Sequence, residues 1–357
     1  MTFAVNLAQG GSNNTTMRNR IINGAMVIDQ RNAGASVTLT ASQYTLDRWR
    51  FGVSVTSKLS AQQNAGSVTP PSGFTNYLGA TSLSAYTVGA AEQFQLKQTI
   101  EGFNVADLAW GTADAATVTL SFWVRSSLTG TFGGSLTNSA GTRSYPFTYT
   151  ISTANTWEYE TITIAGDTTG TWLTTNGSGI ALYFGLGVGS TLSGTAGAWA
   201  AANYASATGA VSVVGTSGAT FYITGVQLEA GTTASPFEYR QYGTELALCQ
   251  RYLPVFSALA SNRLNSGYFY TTTVFYNNFV FQVPTRVAPT GISTTGSFNA
   301  TYLSASQAIT PLWLGEASTT QAAIYGVTGG AVTAGIGMAI AATSGGTGTI
   351  QFTGCEL

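Results

Sequence analysis

The stretch Val118-Thr119-Leu120-Ser121-Phe122-Trp123-Val124-Arg125 decides the fold class. Successive side chains of a strand point to opposite faces. Val118, Leu120, Phe122 and Val124 therefore share one side, and Thr119, Ser121, Trp123 and Arg125 the other. An apolar face backed by a mixed one predicts a half-buried strand. The same period of two runs through Tyr145, Phe147, Tyr149 and Ile151, and through Ile180, Leu182, Phe184, Leu186 and Val188. Phe221–Glu229 reads as a bulged strand or a strand pair. Loops rich in Gly, Ser, Thr and Asn separate these runs at short spacing, as in a β-sandwich or barrel.

Helical signals are few. Ile100–Trp110 reads as one short helical turn or a loop. Thr244–Tyr252 is the best helix, with Thr244 as N-cap, Leu246, Ala247 and Leu248 as good formers, and Pro254 ending it. We expect a sandwich over 19–240, a linker helix over 241–253 and a second, smaller β-sandwich over 254–357. Strands of the latter are expected at Tyr268–Val274, Phe279–Val283, Ile324–Val327, Ile336–Ile340 and Ile350–Phe352. Residues 1–18, polar and glycine-containing, are expected to be an attachment segment, docked on copies of the chain or on a partner protein.

Composition narrows the function. The chain has 357 residues, of which only 8% are charged against a usual share of roughly 25%. Such a surface suits a β-rich protein that buries area between subunits. The net charge is −1. The densest basic region, Arg18, Arg20, Arg31, Arg48 and Arg50, is interrupted by Asp29 and Asp47, so phosphate-backbone binding is not expected. No apolar run is long enough for a membrane helix. The chain has no histidine, which removes Ser-His-Asp and Cys-His chemistry and any His-containing zinc site. Cys249 reads as a buried thiol, and a bridge to Cys355 rests only on the even count.

Two stretches carry a resemblance. The first is Asn19-Arg20-Ile21-Ile22-Asn23-Gly24, running to Gln30-Arg31, with Tyr44-Thr45-Leu46-Asp47-Arg48-Trp49 after it. The second is Gln227-Leu228-Glu229-Ala230-Gly231, then Ala234-Ser235-Pro236-Phe237-Glu238-Tyr239-Arg240, leading into Cys249-Gln250-Arg251-Tyr252. Val283-Pro284-Thr285-Arg286-Val287-Ala288-Pro289 follows in the C-terminal region. In order and spacing these elements resemble a widespread group of phage structural proteins used as tail, head-fibre or minor virion components. The resemblance covers the edges of residues 19–252 and one later element. It implies a jelly roll similar to carbohydrate-binding modules, carried by a virion component of a fibre or spike, a homotrimer, with contact to the host surface. An enzyme is not expected, on the separate ground that the chain has no histidine.

The residues support a physical reading beside it. Ile21, Ile22, Met26, Val27 and Ile28 are expected as a first strand lying near the last, which contains Leu228. Arg48 is expected to pair with Glu229, and Trp49 to cap the core. Asn23, Gly24, Asp47, Gln227, Pro236, Phe237, Arg240, Arg251 and Tyr252 are read as structural members of the same motifs.

Three kinds of site are compatible with these residues. Glycan contact needs flat aromatic faces beside polar groups. Trp123 with Arg125 and Tyr145 with Tyr149 are the candidates, and Trp157 with Tyr159 contributes similarly. The plainer reading is that these rings fill a core or a subunit interface. A structural calcium between the first and last strands would draw on Asn23, Asp29 and Glu229. Glu158 and Glu160, at strand spacing on one face, are the pair for a glycan hydrolase. We expect a virion structural protein, with a carbohydrate-binding adhesin as the alternative and a hydrolase after that.

Overall fold

The computed structural model describes residues 17–258, 263–343 and 346–357. The expected attachment segment therefore falls almost wholly outside the described residues. The chain divides into two compact units, one ending at Tyr242 and including Leu357, the other Gly243–Glu356.

The first unit contains β1 (Val37–Thr38), β2 (Gln43–Leu46), β3 (Trp49–Val53), β4 (Leu59–Gln63), β5 (Leu78–Ser82), β6 (Gln93–Glu101) and β7 (Val118–Ser126). After these come β8 (Gly130–Thr137), β9 (Ser144–Ile151), β10 (Glu158–Ile164), β11 (Ser178–Val188), β12 (Ser193–Gly194), β13 (Ser206–Ala207) and β14 (Thr220–Ala230). Two six-stranded sheets result, ordered β1-β4-β5-β14-β7-β10 and β2-β3-β6-β11-β8-β9. The chain crosses between them at β1 to β2, β3 to β4, β5 to β6, β6 to β7, β7 to β8, β9 to β10, β10 to β11 and, through β12 and β13, β11 to β14. Antiparallel sheets wound in this way make a jelly roll.

The core lies between the sheets. Val118, Leu120, Phe122 and Val124 of β7 are all fully buried. Phe122 meets Phe184 of the opposite sheet edge-on at 5.0 Å between centroids. Each such side chain contributes roughly 1.5–3 kcal/mol on burial. Ile100–Trp110 forms two short 3-10 turns, Gly102–Asn104 and Ala106–Leu108.

Residues 21–28 depart from expectation. They form no regular strand. Asn23 and Met26 take positive φ values of 57° and 59°, which breaks an extended run. The segment is an irregular arm, yet it does lie against β14, the last strand, as the Arg20 amide donates to Leu228 O at 2.9 Å.

The second unit begins with helix α1 (Tyr242–Gln250), which buries Glu245 and Cys249 one turn apart. Thr244 lies inside its first turn and not at its N-cap. The strands are β15 (Val255–Ala258), β16 (Arg263–Phe269), β17 (Val274–Val280), β18 (Gly291–Thr295) and β19 (Phe298–Tyr302). β20 (Ala305–Ala317), β21 (Gln321–Thr328), β22 (Gly337–Ala342) and β23 (Gly348–Thr353) complete it. β16-β17-β21-β20-β19-β22 close into a barrel, and β15-β23-β18 form a three-stranded sheet. This unit is thus a barrel with an added sheet and not two open sheets face to face; closure leaves no unpaired barrel edge. Phe269, Phe275, Phe279, Phe298, Ile324 and Ile340 belong to its core, which Ile350 and Phe352 of β23 join. The run expected as one strand over Tyr268–Val274 is a hairpin turn, in which the Thr271 hydroxyl accepts the Val274 amide at 3.0 Å.

Cys249 and Cys355 are both buried and do not form a disulfide. The Cys355 thiol donates to Val287 O at 3.3 Å, and burial pushes its pKa up to about 11. Arg286 donates to Cys355 O at 2.8 Å and to Glu356 O at 2.6 Å, and Arg251 to Pro284 O at 3.3 Å. With Tyr252 fully buried, the Cys-Gln-Arg-Tyr and Val-Pro-Thr-Arg elements pack inside this unit. Among the described residues no helix is long and apolar enough to cross a membrane.

Candidate functional site

In the first unit the motif residues converge on one closure. The pairing of β14 with β7 shifts register between Thr224 and Gln227, leaving Gly225 and Val226 as a bulge. The freed Val226 amide donates to Gly24 O at 3.0 Å, and Val226 O accepts the Asn19 side-chain amide at 3.1 Å. A Cβ at Gly24 would stand 2.2 Å from Val226 O, so only glycine permits this approach. Asn23 binds Ile28 through both its amide nitrogen and its carbonyl oxygen, at 2.8 and 3.0 Å, and donates to Asp47 O at 3.0 Å. Asp47 in turn accepts the Gln30 backbone and side-chain amides at 2.7 and 2.8 Å. Trp49 is fully buried and donates its indole N–H to Asn23 O at 3.0 Å.

The far end of the closure is Gln227–Arg240. Gln227 donates to Glu229 at 2.8 Å and accepts the Glu238 amide at 2.8 Å. Arg240 donates to Ile21 O at 3.0 Å and to Asn19 O. Arg18 donates to Pro236 O at 2.7 Å. The conformation of the arm is thus held by side-chain amides and carboxylates in place of a strand ladder.

One expectation fails here. Arg48 does not pair with Glu229: it donates to Thr99 O at 2.6 Å, while Glu229 is held by Gln227, Ser235 and Arg18. Asn23, Asp29 and Glu229, the oxygen donors considered for a structural calcium, each engage protein groups. Asp29 accepts the amides of Arg31, Asn32 and Gly34, closing a turn, and the other two lie in the contacts just given. Among the described residues no group of three or more acidic or thiol ligands is assembled.

The outer face of the first sheet is different. Trp123 lies across from Tyr159 of β10 and Thr224 of β14. The Trp123 and Tyr159 rings are 5.2 Å apart, and Tyr159 is 46% exposed. Gly225, at φ 63°, bears no side chain between Trp123 and Phe74; a Cβ there would sit 3.2 Å from one ring and 2.7 Å from the other. Phe74 continues to Phe237 at 5.1 Å and to Tyr239 at 5.5 Å, the latter 60% exposed. A strip of rings therefore crosses β10, β7 and β14 and ends on Tyr239.

Beside it runs a more buried row. Arg125 stacks over Tyr222 at 5.4 Å, Tyr222 meets Tyr77 at 5.2 Å, and Tyr77 meets Trp157 at 5.5 Å. Tyr77 is fully buried, and burial raises its hydroxyl pKa above the ordinary value. Arg125 donates Nε to Asn155 O at 2.9 Å, and its terminal nitrogens find no acceptor among the described residues. The indole N–H of Trp123 likewise has none.

Tyr145 and Tyr149 are elsewhere. Tyr149 is 4% exposed and packs on Phe122 at 5.0 Å, so it has no face for a sugar. Burial, then the Glu160 carboxylate, pushes its hydroxyl well above the ordinary range. Tyr145 meets Trp199 at 5.3 Å, in a plug where Trp110, Trp172 and Trp199 contact one another edge-on at 4.8–5.4 Å. Their indoles donate to Ala116 O, Asp167 and Ala165 O. Asp167 is held by a two-fold bond from Arg143, both contacts 2.7 Å. Burial pushes the Asp167 carboxyl up, but Arg143 and Thr169 outweigh it and hold it below the usual value.

Glu158 and Glu160 lie on edge strand β10 opposite Val124 and Phe122. Glu158 accepts the Ser152 and Thr153 amides at 3.0 and 2.7 Å and so closes a turn. Burial, then the neighbouring Glu158, raises the Glu160 pKa. A depression of about 850 Å³ is lined by Arg18, Arg20, Phe103, Asp107 and Glu229. Its charges pair with one another, Arg20 with Asp107 at 2.5 Å and Arg18 with Glu229 at 3.8 Å.

Phe74 and Tyr239 were missed by sequence reasoning. Both sit in aperiodic segments, where no alternation reports which way a ring points. The proximity of Gly73 and Gly225 to aromatic residues was the available signal, and it is a weak one.

No family model matches the chain, and no curated protein does. Solved structures resemble it in fold at low identity. One is the enzymatically active domain of tailspike protein 4 of Bacteriophage CBA120, at 12% identity and a TM-score of 0.33, spanning 60% of this chain and 21% of that one. The carbohydrate-binding module TmCBM61 in complex with β-1,4-galactotriose gives 10% and 0.31, over 60% and 99%. The family 11 carbohydrate-binding module from Clostridium thermocellum, in complex with a β-1,3-1,4-mixed-linked tetrasaccharide, gives 11% and 0.28, over 55% and 97%.

Proposed function

We propose that the chain is a carbohydrate-binding adhesin, not itself an enzyme, whose jelly roll presents the Tyr159–Trp123–Phe74–Tyr239 strip to an oligosaccharide. The observation that carries this reading is the state of Trp123. Its ring is half-buried and its indole N–H has no acceptor among the described residues, while five of the other six tryptophans donate theirs within the protein. A sugar ring stacks on such a face, and a hydroxyl takes the free donor. Arg125 stands two residues along the same face, with guanidinium nitrogens to spare.

Two points support a non-catalytic role. The chain has no histidine, and Glu158 of the candidate acid pair is engaged in closing a turn. Binding of purified full-length protein to an array of bacterial surface oligosaccharides tests the reading. At least one bound oligosaccharide whose binding disappears in Trp123→Ala, with melting unchanged, supports it; if every bound oligosaccharide is retained by that variant, the reading is defeated.

A second reading is compatible with the first: the protein is a virion component, fibre or spike, synthesised in the host and assembled as a homotrimer, with residues 1–18 joining it to other virion proteins. What favours it is that the phage-like motifs of the first unit converge on a single buried closure between Asn19, Asn23, Asp47 and Gln227. Labelling the protein on purified particles tests this; absence from every particle fraction argues against it.

A further inference from the structure

Tyr268 of β16, Tyr276 of β17, Tyr325 of β21 and Trp313 of β20 are direct cross-strand neighbours in the barrel. Alternate positions Phe269, Phe275 and Ile324 are fully buried in the barrel core, so the four rings stand on its outer surface. Their centroids are 5.6, 5.4 and 6.0 Å apart in that order, a spacing inherited from strands ~4.8 Å apart. Tyr268 is 44% and Trp313 38% exposed.

Three details separate this row from ordinary sheet packing. Tyr325 and Trp313 are nearly parallel, at 14°. The Tyr325 ring lies over Gly315, where a Cβ would meet it at 2.3 Å, so a glycine lets the ring settle on the neighbouring strand. The Trp313 indole N–H has no acceptor among the described residues. It is the one tryptophan besides Trp123 in that state.

A depression of about 180 Å³ adjoins the row, lined by Tyr276, Asn278, Glu316, Ser318 and Gln321 among others. Asn278 donates to Gln321 at 3.2 Å, and the Tyr325 hydroxyl to Glu316 at 3.3 Å. Flat rings in line, flanked by amides, hydroxyls and a single carboxylate, match the faces and hydroxyls of a neutral hexopyranose chain. An interface core between subunits would be depleted of charged groups such as Glu316.

We propose that this barrel face is a second carbohydrate-binding platform, in which successive sugars of a neutral oligosaccharide stack across Tyr268, Tyr276, Tyr325 and Trp313 and bond to Asn278, Gln321 and Glu316. The proposal stands independently of the Trp123 site. Full-length wild type, Trp123→Ala, Trp313→Ala and Tyr268→Ala are compared on an array of neutral gluco-, galacto- and manno-oligosaccharides, with sedimentation and melting as controls. The expected result is a set of oligosaccharides retained by Trp123→Ala and weakened at least tenfold by Trp313→Ala and by Tyr268→Ala. Unchanged glycan binding in both barrel variants overturns the proposal. So does a change confined to melting, which makes the row structural, or to oligomeric state, which assigns the face to copies of the chain. No binding by wild type to any of these sugars also overturns it, whereas loss in Trp123→Ala alone leaves only the jelly-roll site.

Discussion

Two aromatic groups of the jelly roll use the same residue types in opposite ways. In the plug, Trp110, Trp172 and Trp199 bury their rings against one another and bond every indole N–H to the protein. In the outer strip, Trp123 and Tyr159 lie on one sheet face, exposed in part, with the Trp123 donor open. The contrast teaches that counting aromatics locates no site; what each polar handle does separates packing from recognition.

Trp172→Ala should produce the largest effect. It empties a packed cluster and removes a donor to Asp167, for a loss of about 3–5 kcal/mol. Thermal unfolding checks it, and a shift of only a degree or two would mean that the plug is loose. Asp167→Asn comes next, at about 3 kcal/mol, because the mostly buried Arg143 keeps its charge without a carboxylate. The folded-state pKa of Asp167 is depressed, so its contribution is complete above the unfolded value. It is lost as pH falls through the lower folded value. Wild type should therefore lose stability below about pH 4 more steeply than Asp167→Asn.

Gly225→Ala should cost roughly 1–2 kcal/mol for its positive φ. Its added methyl would also push Phe74 from Trp123, weakening oligosaccharide binding more than stability. Trp123→Ala should be smallest in stability, within about 1 kcal/mol, since the residue lies outside the core. A large drop in melting temperature would erase the distinction between plug and strip.

Much of the fold was legible because alternation is a direct image of burial. Val118, Leu120, Phe122 and Val124 are buried as their spacing required. Tyr145 and Tyr149 share one face by the same rule, but the rule does not say whether that face meets water or the other sheet; here it meets the core. The arm over 21–28 looked like a strand because its residues are apolar, and Asn23 with its positive φ made it a turn instead. Closure of β16, β17 and β19–β22 into a barrel depends on long-range pairing that local spacing does not encode. Trp123, Arg125 and Tyr159 stand on the outer sheet face that strand alternation assigns them, whereas Phe74 and Tyr239 reach the strip from loops.

The most direct measurement is calorimetric titration of an oligosaccharide whose binding Trp313→Ala and Tyr268→Ala leave intact into wild type and Trp123→Ala, each melted in parallel. The stacking account predicts at least a tenfold loss of affinity at nearly equal melting temperature. Equal affinity in the two proteins would contradict it.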